Sequence, residues 1–237
     1  MLSTRRAVRP RRAAARHGLS LVELLVGIAV GMFVVASAAM LVSAQLNDNR
    51  RLLLETQVQQ DLRAAADIVT RELRRVGHWR DAAAFVWQPG AALQINPYDS
   101  LQLDAGPPAE VGFSYWRRDG EDGPYGFKQD GSVLRTRLGG GGWQELTDGN
   151  TLRITALRVT PRDVGPATRM PCPNLCADGT EDCWPTLTVR ELDVDIEGEA
   201  TSDPSVKRSL RTVVRLRNDL VQFRVPDPAA PTQACPD

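Results

Sequence analysis

The sequence predicts an α+β protein: a long N-terminal stem helix, with a transmembrane half and an amphipathic half, packed on an antiparallel β-sheet head. Three observations predict it. After Pro10 no proline occurs until Pro89, and the other fifteen all lie from Pro89 onward. Proline removes a backbone donor and clashes with the preceding turn, so its absence over residues 19–77 permits one continuous helix. Residues 19–44 form a 26-residue apolar run with one charge, Glu23. From about residue 84 the pattern changes to short alternating segments separated by glycine and proline.

The apolar run comes first. About 20 apolar helical residues span a bilayer core. Residues 1–18 carry six arginines (Arg5, Arg6, Arg9, Arg11, Arg12, Arg16) and no acid, a flank expected to stay cytoplasmic while the rest is exported. The only glycines inside the stretch are Gly27 and Gly31.

Charges return from Gln45, and apolar residues become periodic: Leu54, Val58, Leu62, Ala65, Val69, Leu73 and Val76. Spacings of three and four place them on one helical face. Arg63, Asp67, Arg71 and Arg74 occupy the other. Gly77 is the predicted stop. A helix of about 58 residues would be roughly 87 Å long, more than a small globular domain needs.

Predicted strands are 100–104, 110–117, 132–138, 151–161, 186–199 and 206–217. In the fifth, Leu192, Val194 and Ile196 alternate with Glu191, Asp193, Asp195 and Glu197. In the last, Leu210, Thr212, Val214 and Leu216 alternate with Arg211, Val213, Arg215 and Arg217. Each has one face for a core and one charged face. Paired antiparallel, the outer faces would set acid against base at roughly 0.2–1 kcal/mol per pair. The basic strand alone would suggest DNA binding; its acidic neighbour favours a structural role.

Composition narrows the function classes. The 29 basic and 29 acidic residues cancel, but without residues 1–18 the balance is 23 to 29, a net charge of about −6. General nucleic-acid affinity is not expected. His17 and His78 are the only histidines, and His17 lies in the basic segment 1–18; without that segment a Ser-His-Asp triad could use only His78, and a histidine-rich metal site is disfavoured. Gly139–Gly142 is followed by Trp143 and Gln144, not by the Lys-Ser/Thr of a phosphate-cradling loop. No catalytic constellation, cofactor or metal site is expected. Asp178, Glu181 and Asp182, and Asp119, Glu121 and Asp122, lack EF-hand spacing and read as solvated loops. Cys172, Cys176, Cys183 and Cys235 read as two disulfides in an exported head. Three connectivities are open, and the position of Cys235 suggests a tail tied back to the 172–183 loop.

The junction reads Arg16-His17-Gly18-Leu19-Ser20-Leu21-Val22-Glu23-Leu24-Leu25. It resembles the class III signal of type IV prepilins. Leu19–Val35, Leu73-Arg74-Arg75-Val76-Gly77 and Val213-Val214-Arg215-Leu216-Arg217-Asn218 are similar to PilW-type minor pilins. The resemblance implies a pilin-like fold and a non-enzymatic filament subunit. It implies cleavage by prepilin peptidase between Gly18 and Leu19, N-methylation of Leu19, and a functional glutamate at Glu23. Leucine stands where the family usually has phenylalanine, a tolerated departure. The implied partners are other minor pilins, the major pilin, prepilin peptidase and an inner-membrane assembly platform. The chain then divides into a leader (1–18), a transmembrane half-stem (19–44), an amphipathic half-stem (45–77) and a periplasmic head (78–237). A minor pseudopilin of a type II secretion system shares the junction and stem.

The physical logic is separable from the resemblance. Gly18 lets an extended backbone approach a protease closely. A charge in a membrane helix costs on the order of 2.5–3.5 kcal/mol, so Glu23 needs an explanation. Cleavage at Gly18 would create an α-amino group four residues away, and an opposite charge offsets the desolvation of a buried one. Gly27 and Gly31 form a small-xxx-small pair of the kind that lets membrane helices approach.

Overall fold

The computed structural model describes residues 18, 20–82, 95–104, 106, 109–118, 120–223 and 235. Helix α1 runs Leu21–Leu73, 53 residues without a break. The chain divides after Arg50 into two compact units. In the first, every described residue is exposed, and α1 has the length and composition of one membrane-spanning helix.

The second unit contains the end of α1 and all the strands. Val58, Leu62, Ala65, Val69, Leu73 and Val76 are buried, and Leu54 is half-buried, as the periodicity predicts. Arg63, Asp67, Arg71 and Arg74 are exposed. The helix ends at Leu73 rather than Gly77. The last residues tighten into i→i+3 turns, Arg75 N to Glu72 O and Val76 N to Leu73 O. Gly77 then takes a φ of +74°, which only glycine adopts without strain.

Among the described residues eleven strands follow: β1 Leu101–Asp104, β2 Glu110–Phe113, β3 Tyr125–Asp130, β4 Val133–Arg137, β5 Gln144–Glu145, β6 Leu152–Arg162, β7 Thr168–Arg169, β8 Thr186–Thr188, β9 Glu191–Ala200, β10 Asp203–Arg215 and β11 Leu220–Gln222. They form antiparallel sheets of order β1-β2-β3-β4-β5, β10-β9-β6 and β11-β8-β7. The α+β stem-and-sheet class is therefore observed.

Two predicted strands are corrected. The second ends at Phe113 instead of residue 117, because Ser114 O and Trp116 N bond to Gly77 N and His78 O beyond the helix. The strand predicted over 186–199 is two strands in two sheets. The break is at Arg190, whose half-buried guanidinium donates to Asp99 O and Asn218 O, while its carbonyl accepts from Leu216 N. Burial holds this guanidinium below its ordinary pKa. Strands β3, β5, β7 and β11 were not predicted. β3 is the central strand of its sheet, and its first three residues are all buried, so no alternation announces it.

The acid–base pairing is observed and has a third member. β9 is central, with β10 on one side and β6 on the other. Its acids meet β10 through Arg211–Asp193 (3.4 Å) and Lys207–Glu199 (3.4 Å). They meet β6 through Arg158–Glu197 (2.7 Å), Arg153–Glu199 (3.6 Å) and Arg162–Asp193 (3.7 Å). The most exposed of these pairs, Arg158–Glu197, contributes little singly; a ladder on both sides of one strand also fixes its register.

The helix meets this sheet at Gly198 of β9. A β-carbon there would lie 2.8 Å from Leu152 Cδ1, 3.1 Å from Arg153 O and 3.4 Å from Leu62 Cδ2. Gly198→Ala is expected to destabilise the head by about 1–3 kcal/mol through overpacking, read as a lower denaturation midpoint with unchanged m-value.

Candidate functional site

The candidate site at the start of α1 is built by local geometry. Gly18 and Ser20 are exposed; Leu19, the predicted cleavage partner and methylation site, lies outside the described residues, as do residues 1–17. Ser20 caps the helix: its hydroxyl accepts from Glu23 N (3.4 Å) and its carbonyl from Leu24 N (3.1 Å). Ser20-x-x-Glu23 is thus a capping-box pattern that the sequence reading passed over. It places Glu23 in the first turn, where the helix dipole favours an anion by about 0.3–1 kcal/mol. Glu23 is exposed. Gly27 and Gly31 follow at successive intervals of four, on the same helical ridge. A β-carbon at either would meet no atom within 4 Å, so neither is required by packing within this chain.

The cysteines form two bridges, Cys172–Cys235 and Cys176–Cys183. Cys172 and Cys235 are buried. The acids of this loop are engaged: Arg169 pairs with Glu181 and Asp182, and Asp178 accepts from Thr180, which lowers its pKa. In the other acidic loop Arg118 bonds Glu121; Asp119 lies outside the described residues. No group of three or more potential metal ligands occurs among the described residues.

The head also holds a buried acid, bonded to a buried tyrosine and to two exposed arginines, that was not predicted. Glu72 is buried on the helix face that meets the sheets. It accepts from the Tyr115 hydroxyl at 2.6 Å and from Arg75 at 3.3 Å, with Arg71 at 3.4 Å. Tyr115 is buried and stacks on Tyr125, with ring centroids 4.1 Å apart. The available signal was position: Glu72 lies seven residues after Ala65 and three after Val69, on the apolar stripe.

Burial, and then the bond to Glu72, raise the Tyr115 pKa far above its ordinary 10.0. The folded state holds this proton more tightly than the unfolded chain does. Its stabilising effect is complete below pH 10 and is lost as pH rises from there toward the folded value. Tyr115→Phe is expected to cost about 1.5–3 kcal/mol at neutral pH, the range for a bond to a charged group. It should also flatten the stability loss above pH 10, as read by denaturant titrations on both sides of that pH.

An exposed apolar helix with an acid in its first turn, running on into a half buried against antiparallel sheets, defines a type IV pilus-related, pilin-like protein. The chain belongs to the prepilin peptidase-dependent protein B family, whose model matches residues 51–216. That match lies wholly outside the Arg16–Leu25 junction, so head and junction point to the same class independently. No curated protein and no solved structure matches the chain.

Proposed function

We propose that the chain is a minor pilin, a structural subunit that takes part in initiating and assembling type IV pili. The observation that carries this reading is the coincidence of two separate signals: the junction Gly18-Leu19-Ser20-Leu21-Val22-Glu23, and a prepilin peptidase-dependent family match over the head. Prepilin peptidase removes residues 1–18 and leaves Leu19 as a methylated N-terminus. The apolar half-stem (19–44) stays in the inner membrane until it enters a filament, with the head (78–237) in the periplasm. Other minor pilins, the major pilin and the assembly platform are its partners. Glu23 pairs with an α-amino group, its own or a neighbour's, as the stem leaves lipid. The first-turn position of Glu23 supports this, since Leu19 is only four residues before it in the sequence.

The test is peptide mass spectrometry of sheared surface filaments beside the membrane fraction. A peptide beginning at methylated Leu19 in the filaments is the expected result. The same peptide confined to membranes would replace the minor-pilin reading with a pseudopilin of a secretion system. An intact arginine-rich leader on mature protein would overturn processing itself.

A further inference from the structure

Two segments that carry the resemblance to minor pilins, Leu73–Gly77 and Val213–Asn218, are 136 or more residues apart along the chain. The fold joins them. Arg217 N donates to Arg74 O (3.2 Å) and the Asn218 side chain to Val76 O (2.9 Å). Beside this seam lies a cleft of about 390 Å³ lined by Arg74, Arg75, Arg117, Arg217, His78 and Trp116, among others.

Its charge is not balanced from within. Arg75 pairs with Glu72, but Glu72 also serves Arg71, outside the cleft. Arg117 stands 3.8 Å from Glu121, which is bound more closely by Arg118. The Arg74 and Arg217 side chains make no hydrogen bond or ion pair among the described residues. Cations at a helix C-terminus offset the macrodipole, which accounts for Arg74 and Arg75. It does not account for Arg117 and Arg217, which come from other segments. One wall is flat and aromatic: Trp116 lies against His78, with centroids 6.1 Å apart, and one side of its ring lies under the Arg80 guanidinium at 5.7 Å.

We propose that this cleft binds a small organic oxyanion, with its charged group between Arg74 and Arg217 and its body along Trp116. Guanidinium forks match carboxylate and phosphate oxygens two at a time. The volume is that of a small-molecule site, which typically spans about 300–1,000 Å³. A nucleic-acid strand would instead need a long basic track with successive stacking platforms. The proposal is independent of whether the chain enters a filament.

Calorimetric titration of the full chain in detergent micelles, at low ionic strength, tests it with phenyl phosphate, benzoate and inorganic phosphate. Phenyl phosphate is expected to bind saturably, and more tightly than inorganic phosphate. Benzoate should compete for the same site. Arg74→Gln with Arg217→Gln should weaken phenyl phosphate at least about tenfold, the effect of roughly one charge-assisted contact. Trp116→Leu should weaken phenyl phosphate while leaving inorganic phosphate unchanged. An unchanged thermal transition shows that these variants are folded. Absence of saturable binding overturns the proposal. So does equal weakening by Arg211→Gln with Arg215→Gln on the outer face of β10, or binding confined to an oligonucleotide.

Discussion

Glu23→Ala is expected to leave cleavage after Gly18 intact and to lower recovery of the chain in sheared filaments by about tenfold or more. On the proposed reading the protease meets the backbone around Gly18, five residues before the carboxylate, and the filament meets the carboxylate itself. In the stem, every described residue around Glu23 is exposed, so the side chain has no packing role within its own chain to lose. Its local role is limited to the first turn, where the dipole term is about 0.3–1 kcal/mol. Burying an unpaired charge costs several kcal/mol, and pairing it offsets that cost. A tenfold change needs only about 1.4 kcal/mol of this. Glu23→Gln keeps the size and polarity of the side chain but removes its charge, so it cannot pair with an ammonium. It should behave like alanine in filaments. Quantitative mass spectrometry of filament and membrane fractions measures both. Normal incorporation of either variant would remove charge pairing from the mechanism.

Removing the Cys172–Cys235 bridge with a double serine substitution should be the most destabilising change in the head outside its core. The bridge spans 63 residues and the Cys176–Cys183 bridge only 7. On the chain-entropy account, closing loops of these sizes restricts the unfolded state by about 4 and about 2 kcal/mol. Both ends of the longer bridge are buried, so its loss also exposes apolar surface. At about 2–4 °C per kcal/mol for a domain of this size, its midpoint should fall by roughly 8–16 °C. The shorter bridge should cost about half as much. Equal losses from the two would show that strain or local contacts, not loop closure, set their value.

Much of this molecule is legible as one-dimensional pattern. The stem is a case. Its apolar run, its switch to a three-four period at Leu54 and its stop near Gly77 depend on neighbours in sequence. The observed burial of Val58, Leu62, Ala65, Val69, Leu73 and Val76 follows them residue by residue. The acidic face of β9 and the basic face of β10 were also readable, because each strand has one wet side.

The rest needed the third dimension. β3 escaped because its first three residues are buried together, and a strand covered on both faces loses its period of two. The break at Arg190 escaped because its cause lies at Asp99 and Asn218, far away in sequence. Glu72 sat visibly on an apolar face, but only packing brought Tyr115 to satisfy it.

The basic cleft is the clearest division between the two. Arg74 and Arg217 were each visible in motifs, one at the end of a helix and one at the end of a strand. Their shared wall exists because Arg217 N closes on Arg74 O. By itself, the sequence determined the stem, its membrane-length apolar half, the lone acid at Glu23 and the class of protein, since these rest on local periodicity and spacing. Tertiary structure alone decided strand order, disulfide connectivity, the Glu72–Tyr115 pair and the cleft, because each joins residues whose contact no local pattern encodes.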